Sequence, residues 1–408
     1  MSDSYVPLLV GLIALLAGLA IGKAWERYKL RDGRWIDRRK TRQSPHYIIG
    51  LNYLVSNQID LAIEELGHAA AVDPDALEIH LILGNLYREK GQVGRAINVH
   101  QSLLQRPRLT PLAHAHVLLC LGLDYRRGGF VDRALEAFKE VLRLDPRNRY
   151  ALANLQKLHE EQHQWADAYQ LREQLGTLED DDGEPSRSTP MILAFLENQL
   201  GLEAEQRADT GEAARRFEAA IEREAGTVPA YLNLGDLRER QGDVARAAAT
   251  WERIVEVTPA RAYLAFERLK RAYGALQSSD RFASICRQLI ATNPQDWRAR
   301  LALARDLADR GAASEALELL FEALSHNPHS LLVHQAIWTL LASMASQSAL
   351  ITRYLALTRE AVFYLDPHIC TRCRYRSTEL LWQCPQCHEW NTFVEERFAT
   401  ARDEEASG

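Results

Sequence analysis

Apolar and polar positions divide the chain into one short uncharged segment and a long region with helical periodicity. Residues Tyr5–Gly22 contain no charged side chain over 18 positions. As a helix that rises about 1.5 Å per residue, this segment spans roughly 27 Å, close to a bilayer core of about 30 Å. Trp25 and Tyr28 follow it, and such side chains favour the membrane interface. The pattern predicts one transmembrane anchor.

The flanking charges predict the orientation of this anchor. Only Asp3 precedes the apolar segment, whereas the stretch from Lys23 to Arg42 is strongly basic. Positively charged flanks stay on the cytoplasmic side, so we expect the bulk of the chain there. The alternative is a cleaved signal peptide, but that has the opposite charge order, and Ala20–Gly22 is a weak match to a cleavage site.

Small residues recur on one face of the predicted anchor. Ala14, Gly18 and Gly22 lie four residues apart, a spacing that lets two transmembrane helices approach closely. The spacing is compatible with a homodimer. Glycine and alanine are also common in membrane helices that make no such contact, so both interpretations stay open.

Beyond the basic stretch, small and aromatic positions recur with a fixed period. A glycine is followed by tyrosine three positions later, by a second glycine four positions further, and then by alanine, a bulky residue and a distant proline. The copies begin at Gly50, Gly84, Gly122, Gly201, Gly235 and Ala304. The distances from Gly50 to Gly84 and from Gly201 to Gly235 are both 34 residues. This period resembles that of the tetratricopeptide repeat.

Physical reasons support the repeat interpretation. Small residues let the two helices of a repeat pack closely, aromatic residues fill the gaps between repeats, and proline ends the second helix. We expect six repeats, with degenerate copies near Leu155–Ala168 and Leu269–Pro294, and helices that continue to about residue 365. The predicted fold is all-α: a tetratricopeptide-repeat superhelical solenoid with one N-terminal transmembrane helix and a small C-terminal four-cysteine domain.

A solenoid of this kind presents a concave groove that binds peptide or protein segments. Asn85, Arg88 and Arg126 fall on exposed positions of first helices and are candidates to line the groove. An ordinary solvated helix face is the simpler explanation for each of these positions taken singly.

An acidic, glycine- and proline-containing segment, residues 177–189, interrupts the repeats and predicts a linker between two arms of the solenoid. The predicted organisation has seven parts: anchor 1–22, basic juxtamembrane linker 23–44, first repeat arm 45–176, acidic linker 177–189, second repeat arm 190–366, metal-binding knuckle 367–395 and tail 396–408.

Composition narrows the function classes. The net charge is −6 and the sequence pI is about 6.1. The chain therefore lacks the overall positive charge that is typical of nucleic-acid-binding proteins. The chain contains no phosphate-binding loop, no H-E-x-x-H and no G-x-S-x-G motif. We therefore expect an adaptor and not an enzyme.

Four of the six cysteines form two C-x-x-C pairs near the C-terminus. Cys370 and Cys373 make the first pair, and Cys384 and Cys387 make the second. Two such turns that face each other aim four thiolates at one point and form a closed tetrahedral site. Four thiolates select zinc or iron, and the spacing does not separate the two.

The cysteine spacing has two other interpretations. Paired redox thiols are one alternative, and Cys384–His388 also matches the C-x-x-C-H haem-attachment signature. The presence of a second C-x-x-C pair favours a shared metal over both. Cys120 and Cys286 lie alone in apolar helical patterns, where a cysteine behaves as a small hydrophobic residue.

The order of anchor, repeats and four-cysteine knuckle resembles the lipopolysaccharide assembly protein B family of Gram-negative bacteria. The resemblance covers essentially the whole chain. The most specific matching segments are His46–Asn52, His80–Leu86, Arg95–Gln101, Leu381–Pro385 and Trp390. The rubredoxin-like knuckle of the family has glycine after each C-x-x-C, whereas this chain has Arg374 and His388. This departure bears on iron versus zinc, not on whether a metal binds.

The resemblance implies a specific function. Such proteins are single-pass proteins of the bacterial inner membrane that couple the lipid A deacetylase to a membrane AAA+ protease, which degrades it. A knuckle that packs against the repeats is implied in the same way. One alternative is an assembly scaffold that gathers lipopolysaccharide synthesis or transport proteins. Another is a rubredoxin-like electron carrier, which would need a bound iron that cycles between oxidation states.

Overall fold

The computed structural model describes residues 44–107, 109–181, 188–344, 351, 354 and 368–396. The predicted anchor, almost all of the basic linker and most of the tail lie outside these residues. Within the described part, no helix is both long and apolar enough to cross a membrane.

The described region from residue 45 to residue 343 is helical. Its helices are α1 (Pro45–Val55), α2 (Ile59–Val72), α3 (Leu77–Glu89), α4 (Val93–Leu104), α5 (Pro111–Arg127), α6 (Val131–Leu144), α7 (Arg149–Glu161), α8 (Trp165–Asp181), α9 (Ser188–Gln206), α10 (Thr210–Arg223), α11 (Val228–Arg240), α12 (Val244–Val257), a 3-10 helix (Pro259–Ala265), α13 (Phe266–Ala275), α14 (Ser279–Thr292), α15 (Trp297–Asp309), α16 (Ala313–His326) and α17 (Leu331–Ser343).

A left-handed residue in the turn between the two helices marks every repeat from α1 to α16. The residues are Asn57, Gly91, Gly129, His163, Ala208, Gly242, Gln277 and Gly311. Half of them are not glycine, although a left-handed conformation disfavours other residues. The copies predicted to be degenerate contain His163 and Gln277, so their backbone keeps the repeat geometry where the sequence signal is weak. The helical-repeat fold is confirmed.

Close contact between a glycine and a bulky side chain joins the helices of several pairs. A Cβ on Gly122 would lie 2.6 Å from a ring carbon of Phe138, and one on Gly235 would lie 2.1 Å from Trp251 Nε1. Both ring side chains are fully buried. The aromatic repeat positions are therefore core, as predicted.

The second repeat uses a polar side chain at this position. His100 is fully buried, and a Cβ on Gly84 would lie 2.4 Å from its Nε2 atom. His100 Nδ1 lies 2.5 Å from Oδ2 of Asp124, whose other oxygen accepts a hydrogen bond from Arg88 at 2.8 Å. A histidine that is hydrogen-bonded through Nδ1, with its buried Nε2 atom lacking a hydrogen bond to the described residues, here replaces the ring of Phe138 or Trp251.

The contacts divide the chain into two compact units, Met1–Leu158 and His159–Gly408. The boundary falls inside α7 and not at the predicted linker 177–189. Helix α8 continues to Asp181 and α9 begins at Ser188, so both ends of that predicted linker are helical. Arg172 connects these two helical ends, because its guanidinium pairs with Glu179 at 3.1 Å and contacts the Thr189 hydroxyl.

The C-terminal knuckle is a small antiparallel sheet within the second unit. Strands β1 (His368–Cys370), β2 (Arg376–Ser377) and β3 (Phe393–Glu395) lie in the order β2-β1-β3. In this register Ile369 faces Arg376 on one side and Val394 on the other. An isolated bridge joins Gln383 to Trp390 and closes the second cysteine turn.

Candidate metal centre

The two cysteine turns have the same backbone geometry. In the first, the amide of Arg374 donates to the carbonyl of Cys370, and in the second, the amide of His388 donates to the carbonyl of Cys384, both at 2.9 Å. Each turn needs a left-handed residue directly after its second cysteine. Arg374 has φ 65° and His388 has φ 56°. These are the two positions where glycine was expected, so the geometry is kept despite the side chains.

The turns bring all four cysteines together. The four Sγ atoms lie within 4.8 Å of one another. Cys370 Sγ is 3.7 Å from Cys387 Sγ, and Cys373 Sγ is 3.5 Å from Cys384 Sγ. Zinc–sulfur bonds of about 2.3 Å in a tetrahedron separate neighbouring sulfurs by about 3.8 Å. The cage therefore fits a tetrahedral ion, and its donor set suits zinc or iron alike.

The cage shifts the pKa values of its thiols in opposite directions. Burial raises the pKa of the Cys370 thiol, but hydrogen bonds from the Thr392 hydroxyl and from the amides of Cys373 and Arg372 outweigh burial and hold that pKa at about 6. Burial and the neighbouring thiols raise the pKa of Cys387 to about 12. Four thiolates repel one another, so all four coexist only around a cation such as a divalent metal.

One buried carboxylate holds the knuckle against the repeats. Glu160 lies near the end of α7 and is almost fully buried. Its Oε2 atom accepts hydrogen bonds from Gln383 Nε2 at 2.9 Å and from Trp390 Nε1 at 3.2 Å. Next to it, His388 Nε2 lies 3.5 Å from Glu161 Oε1. The second cysteine turn therefore faces the solenoid.

Aromatic packing surrounds this polar anchor. The Trp390 ring stacks on Phe195 of α9, with centroids 5.3 Å apart, and meets Trp165 of α8 edge-on at 6.2 Å. Such pairs contribute about 0.5–1.5 kcal/mol beyond the apolar area they bury. The packing of Trp390 joins the metal turn to the hydrophobic core of the second unit.

Two arginines complete the contact on the other side. Arg261 of the 3-10 helix donates to Asn391 Oδ1 at 2.5 Å, and its guanidinium carbon lies 5.1 Å from the centre of the Trp382 ring. Arg298 of α15 donates to Glu395 Oε2 at 2.9 Å. Sequence reasoning missed these partners because no local pattern marks them. The tryptophans beside the cysteines were the one available signal.

The predicted groove residues are engaged with one another. Arg88 donates to Asn85 Oδ1 and to Asp124 Oδ1, both at 2.8 Å, and Arg126 donates to Asn154 Oδ1 at 3.0 Å. Each of these side chains is half-buried or buried. They therefore link first helices of neighbouring repeats instead of standing free in solvent.

A similar series of side-chain contacts between successive first helices, which we call the ion-pair ladder, is present in the second unit. Arg268 pairs with both oxygens of Asp236, and Arg271 pairs with both oxygens of Glu239, which bridges α13 to α11. The bond from Arg271 holds the pKa of Glu239 below its ordinary value. Lys270 donates to Asp309 of α15 at 2.5 Å. Ion pairs thus stabilise the relation of successive first helices.

An open cleft of about 550 Å³ lies at the end of this ladder. Its floor contains small and apolar side chains and its rim is polar. The lining residues are Glu267, Lys270, Ala304, Arg305, Ala308, Asp309, Leu320, Gln335, Ala336, Thr339, Leu340 and Ser343. Most come from α13, α15 and α17, which are the first helices of their repeats. The cleft therefore has the location expected for a solenoid groove.

Cys120 and Cys286 are buried inside the helical packing, as predicted. Burial raises the pKa of Cys120 to about 11 and that of Cys286 to about 12. Such thiols are inert at neutral pH.

The fold and the cysteine cage define a class: a tetratricopeptide-repeat protein with a C-terminal rubredoxin-type metal-binding domain. The tetratricopeptide-repeat model matches residues 49–108, 120–172 and 198–263, and the model described as "Rubredoxin metal binding domain" matches residues 368–395.

The particular relatives are curated proteins named lipopolysaccharide assembly protein B. The relative from Escherichia coli K12 is 25% identical, over 86% of this chain and 89% of its own length. The relative from Haemophilus influenzae is 24% identical, over 94% of this chain and 98% of its own length. These matches confirm the resemblance to the lipopolysaccharide assembly protein B family.

Solved structures with some similarity include a tetratricopeptide repeat protein from Parabacteroides merdae. The two sequences are 16% identical, the match covers 76% of the present chain and 96% of the Parabacteroides merdae chain, and the TM-score is 0.34. The crystal structure of MamA is 21% identical, covers 44% of this chain and 96% of that chain, and has a TM-score of 0.31.

Proposed function

We propose that this protein is a non-enzymatic adaptor in lipopolysaccharide assembly. The observation that carries the proposal is the near full-length match to proteins named lipopolysaccharide assembly protein B, with both domain types in the same order. A repeat solenoid offers surfaces for other proteins, which is what an adaptor needs.

The finer proposal is regulated degradation. The adaptor brings the lipid A deacetylase to a membrane AAA+ protease, so that the enzyme of the committed step of lipid A synthesis is removed. The family resemblance supports these two partners. The predicted anchor Tyr5–Gly22 would hold the adaptor at the inner membrane, beside the protease and with its repeats in the cytoplasm. Such tethering raises the effective concentration to the order of mM for short linkers.

The cleft lined by α13, α15 and α17 is the proposed client groove. Its charged side chains are already paired, as Lys270 is with Asp309, so they do not demand a highly charged ligand. The small floor residues Ala304, Ala308 and Ala336 leave room for apolar side chains of an extended segment. A client segment would bury its apolar side chains there and hydrogen-bond to the polar rim.

The knuckle is proposed to be a structural clamp. Cys370, Cys373, Cys384 and Cys387 would hold one zinc or iron ion, and the set leaves no open coordination position for a substrate. The ion would supply the charge that keeps the two turns together. The residues around the ion site, chiefly Glu160 and Trp390, would hold the two cysteine turns against the repeats.

Depletion of the protein tests the function. An adaptor for degradation requires the deacetylase level to rise when the protein is removed, measured by immunoblot in the bacterium that encodes it. An unchanged deacetylase level with defective lipopolysaccharide export would favour the alternative, a scaffold that gathers synthesis or transport proteins.

Variants on one helix test the groove. Gln335 and Thr339 line the cleft on α17 with exposed side chains, so Gln335→Trp with Thr339→Trp should obstruct it without filling the core. We expect the deacetylase to accumulate as it does on depletion. Leu332→Trp is the matched control, since Leu332 is exposed on the same helix but does not line the cleft. Equal effects of both changes would contradict the groove.

Topology is tested with spheroplasts. Protease added outside should leave the repeat region intact if the anchor is uncleaved and the repeats are cytoplasmic. Digestion of the repeats from outside would refute that orientation.

A further inference from the structure

The two cysteine turns share one backbone geometry but face different surroundings. The second turn faces the solenoid through His388, Trp390 and Asn391. The first turn faces solvent, where Arg372, Arg374, Tyr375 and Arg376 are all exposed. We call these four residues the knuckle patch. The difference separates a docking side of the knuckle from an outer side.

Backbone conformation singles out Arg374 within this patch. Among the described residues of the knuckle, Arg374, His388 and Asn391 combine a positive φ with a side chain that disfavours it. His388 lies against Glu161, and Asn391 accepts a hydrogen bond from Arg261, so two of the three contact the solenoid. Glycine would suit the position of Arg374 better, yet its side chain makes no such contact with any residue that the structure describes.

Two of the charges in the patch are also unpaired. The guanidinium groups of Arg372 and Arg374 have no hydrogen bond or ion pair among the residues that the structure describes. In the solenoid, arginines such as Arg268 and Arg271 are paired across helices with carboxylates. Arg372 and Arg374 thus place two unpaired positive charges on the patch of a protein whose net charge is −6.

Arg376 shows which chemistry suits the patch. Its guanidinium donates to Oε1 of Glu396 at 2.8 Å, so one member of the set already binds a carboxylate. The planar guanidinium fork matches carboxylates well. Tyr375 lies between these arginines in sequence, and its ring rests edge-on against the buried Phe393 at 6.4 Å. The ring is therefore held in place with one side available to a ligand.

We propose that the knuckle patch binds an acidic segment of a partner protein, at a site separate from the solenoid groove. Positive charge, guanidinium geometry and a fixed aromatic ring match a ligand with several carboxylates. The patch has three basic residues, whereas lipid headgroup binding typically uses clusters of about four to eight, so a protein partner fits better than a membrane. The metal-clamped turn would present these side chains in a fixed arrangement, which lowers the entropy cost of binding.

Peptide binding by the full, metal-loaded chain in a neutral detergent tests this proposal. The probe is a fluorescein-labelled peptide of alternating glutamate and serine, compared with the same peptide containing glutamine, and the readout is fluorescence anisotropy. We expect binding of the acidic peptide only. Arg372→Glu with Arg374→Glu should weaken it about tenfold, because two attractive contacts become repulsive.

A matched variant controls for net charge. Arg215→Glu with Arg253→Glu makes the same charge change at two exposed arginines that pair within their own helices, with Glu212 and Glu256. It should bind the peptide like the unaltered chain. Equal weakening by both double variants would show a diffuse field and overturn the proposal, as would unaltered binding by the knuckle variant.

Arg374→Gly separates recognition from structure. Glycine suits the left-handed turn, so metal content should stay unchanged while peptide binding weakens. Unweakened binding would exclude Arg374 from the site and overturn its part in the proposal. Phosphatidylglycerol added to the detergent micelles is the last arm. If it displaces the peptide at a lower concentration than free acidic peptide does, the patch is a lipid site and the proposal fails. None of these outcomes depends on the deacetylase level that tests the proposed function.

Discussion

The solenoid and the knuckle achieve order by different physical means. In the solenoid, bulky side chains pack against small residues, as Trp251 packs against Gly235, and the same arrangement repeats along the chain. In the knuckle, four sulfurs and a few specific contacts such as Glu160 with Trp390 define the structure. Repeats spread stability over many similar contacts, while a small domain with little core concentrates it in a metal. Single substitutions should therefore lower stability by small steps in the solenoid, whereas loss of one metal ligand should destabilise the knuckle in a single large step.

The largest effect should follow from loss of one cysteine of the cage. Structural zinc contributes about 10–16 kcal/mol of apparent free energy in small modules, so Cys370→Ser should abolish stoichiometric metal binding. Because the four ligands act as one unit, adding Cys387→Ser should cost little more. Elemental analysis of metal per chain and complementation of the deletion strain measure both variants.

Cys286→Ser is the control for that experiment, since Cys286 is buried far along the chain from the cage. It should keep the metal. Retention of one metal per chain by Cys370→Ser would show that the four-ligand assignment is wrong. Loss of metal with full complementation would show that the knuckle is dispensable.

A smaller effect should follow from filling one contact in the solenoid. A methyl group at Gly235 would meet the Trp251 ring at 2.1 Å, so Gly235→Ala should lower the free energy of unfolding by about 3 kcal/mol. Chemical denaturation followed by circular dichroism measures the loss. Gly67→Ala is the control, because nothing lies within 4 Å of that Cβ and alanine favours a helix. Metal content should be unchanged in both.

A comparable or somewhat smaller effect should follow at the contact between the two regions. Glu160→Ala removes the acceptor of the buried Trp390 indole N–H and one of two acceptors of the half-buried Gln383 amide, at a cost of about 1–3 kcal/mol for the buried group left unsatisfied. We expect faster proteolysis of the knuckle and faster metal loss to a chelator, while the helical content stays. Glu161→Gln keeps the size of the neighbouring side chain and alters its contact with His388, and it should change these rates little. Unaltered rates of proteolysis and metal loss in Glu160→Ala would show that Glu160 does not hold the knuckle on the solenoid.

The smallest effect concerns the two isolated thiols. The pKa of Cys120 is raised to about 11 and that of Cys286 to about 12, so both stay protonated as pH rises through 7 and 8. Iodoacetamide should therefore not label them in the folded chain at pH 8. Addition of a strong chelator should expose only the four knuckle cysteines, and denaturation should expose all six. Mass spectrometry identifies the labelled residues, and rapid labelling of Cys286 in the folded chain would contradict its burial.

The sequence predicts the solenoid and the cysteine cage well for local reasons. Glycine, aromatic residues and proline recur at fixed distances, and each C-x-x-C pair forms its turn within a few residues. Prediction is weaker where a residue departs from its type, as at His163 and Gln277, which adopt the left-handed conformation that glycine marks elsewhere. The sequence does not predict how the knuckle packs against the solenoid, because Glu160 and Trp390 are 230 residues apart and no periodicity relates them.

The attachment of the knuckle through Gln383, Trp390 and Asn391 has a thermodynamic consequence. These residues lie in or beside the second cysteine turn, so the same short segment serves the cage and the solenoid contact. When two binding equilibria share a segment, each changes the other by the same factor. The affinity of the cage for its ion thus includes a contribution from Glu160 and Phe195, although neither is a ligand. By this reciprocity, the equilibrium affinity of the cage for its ion, measured in competition with a chelator, reports from the C-terminus on the integrity of the helical repeats.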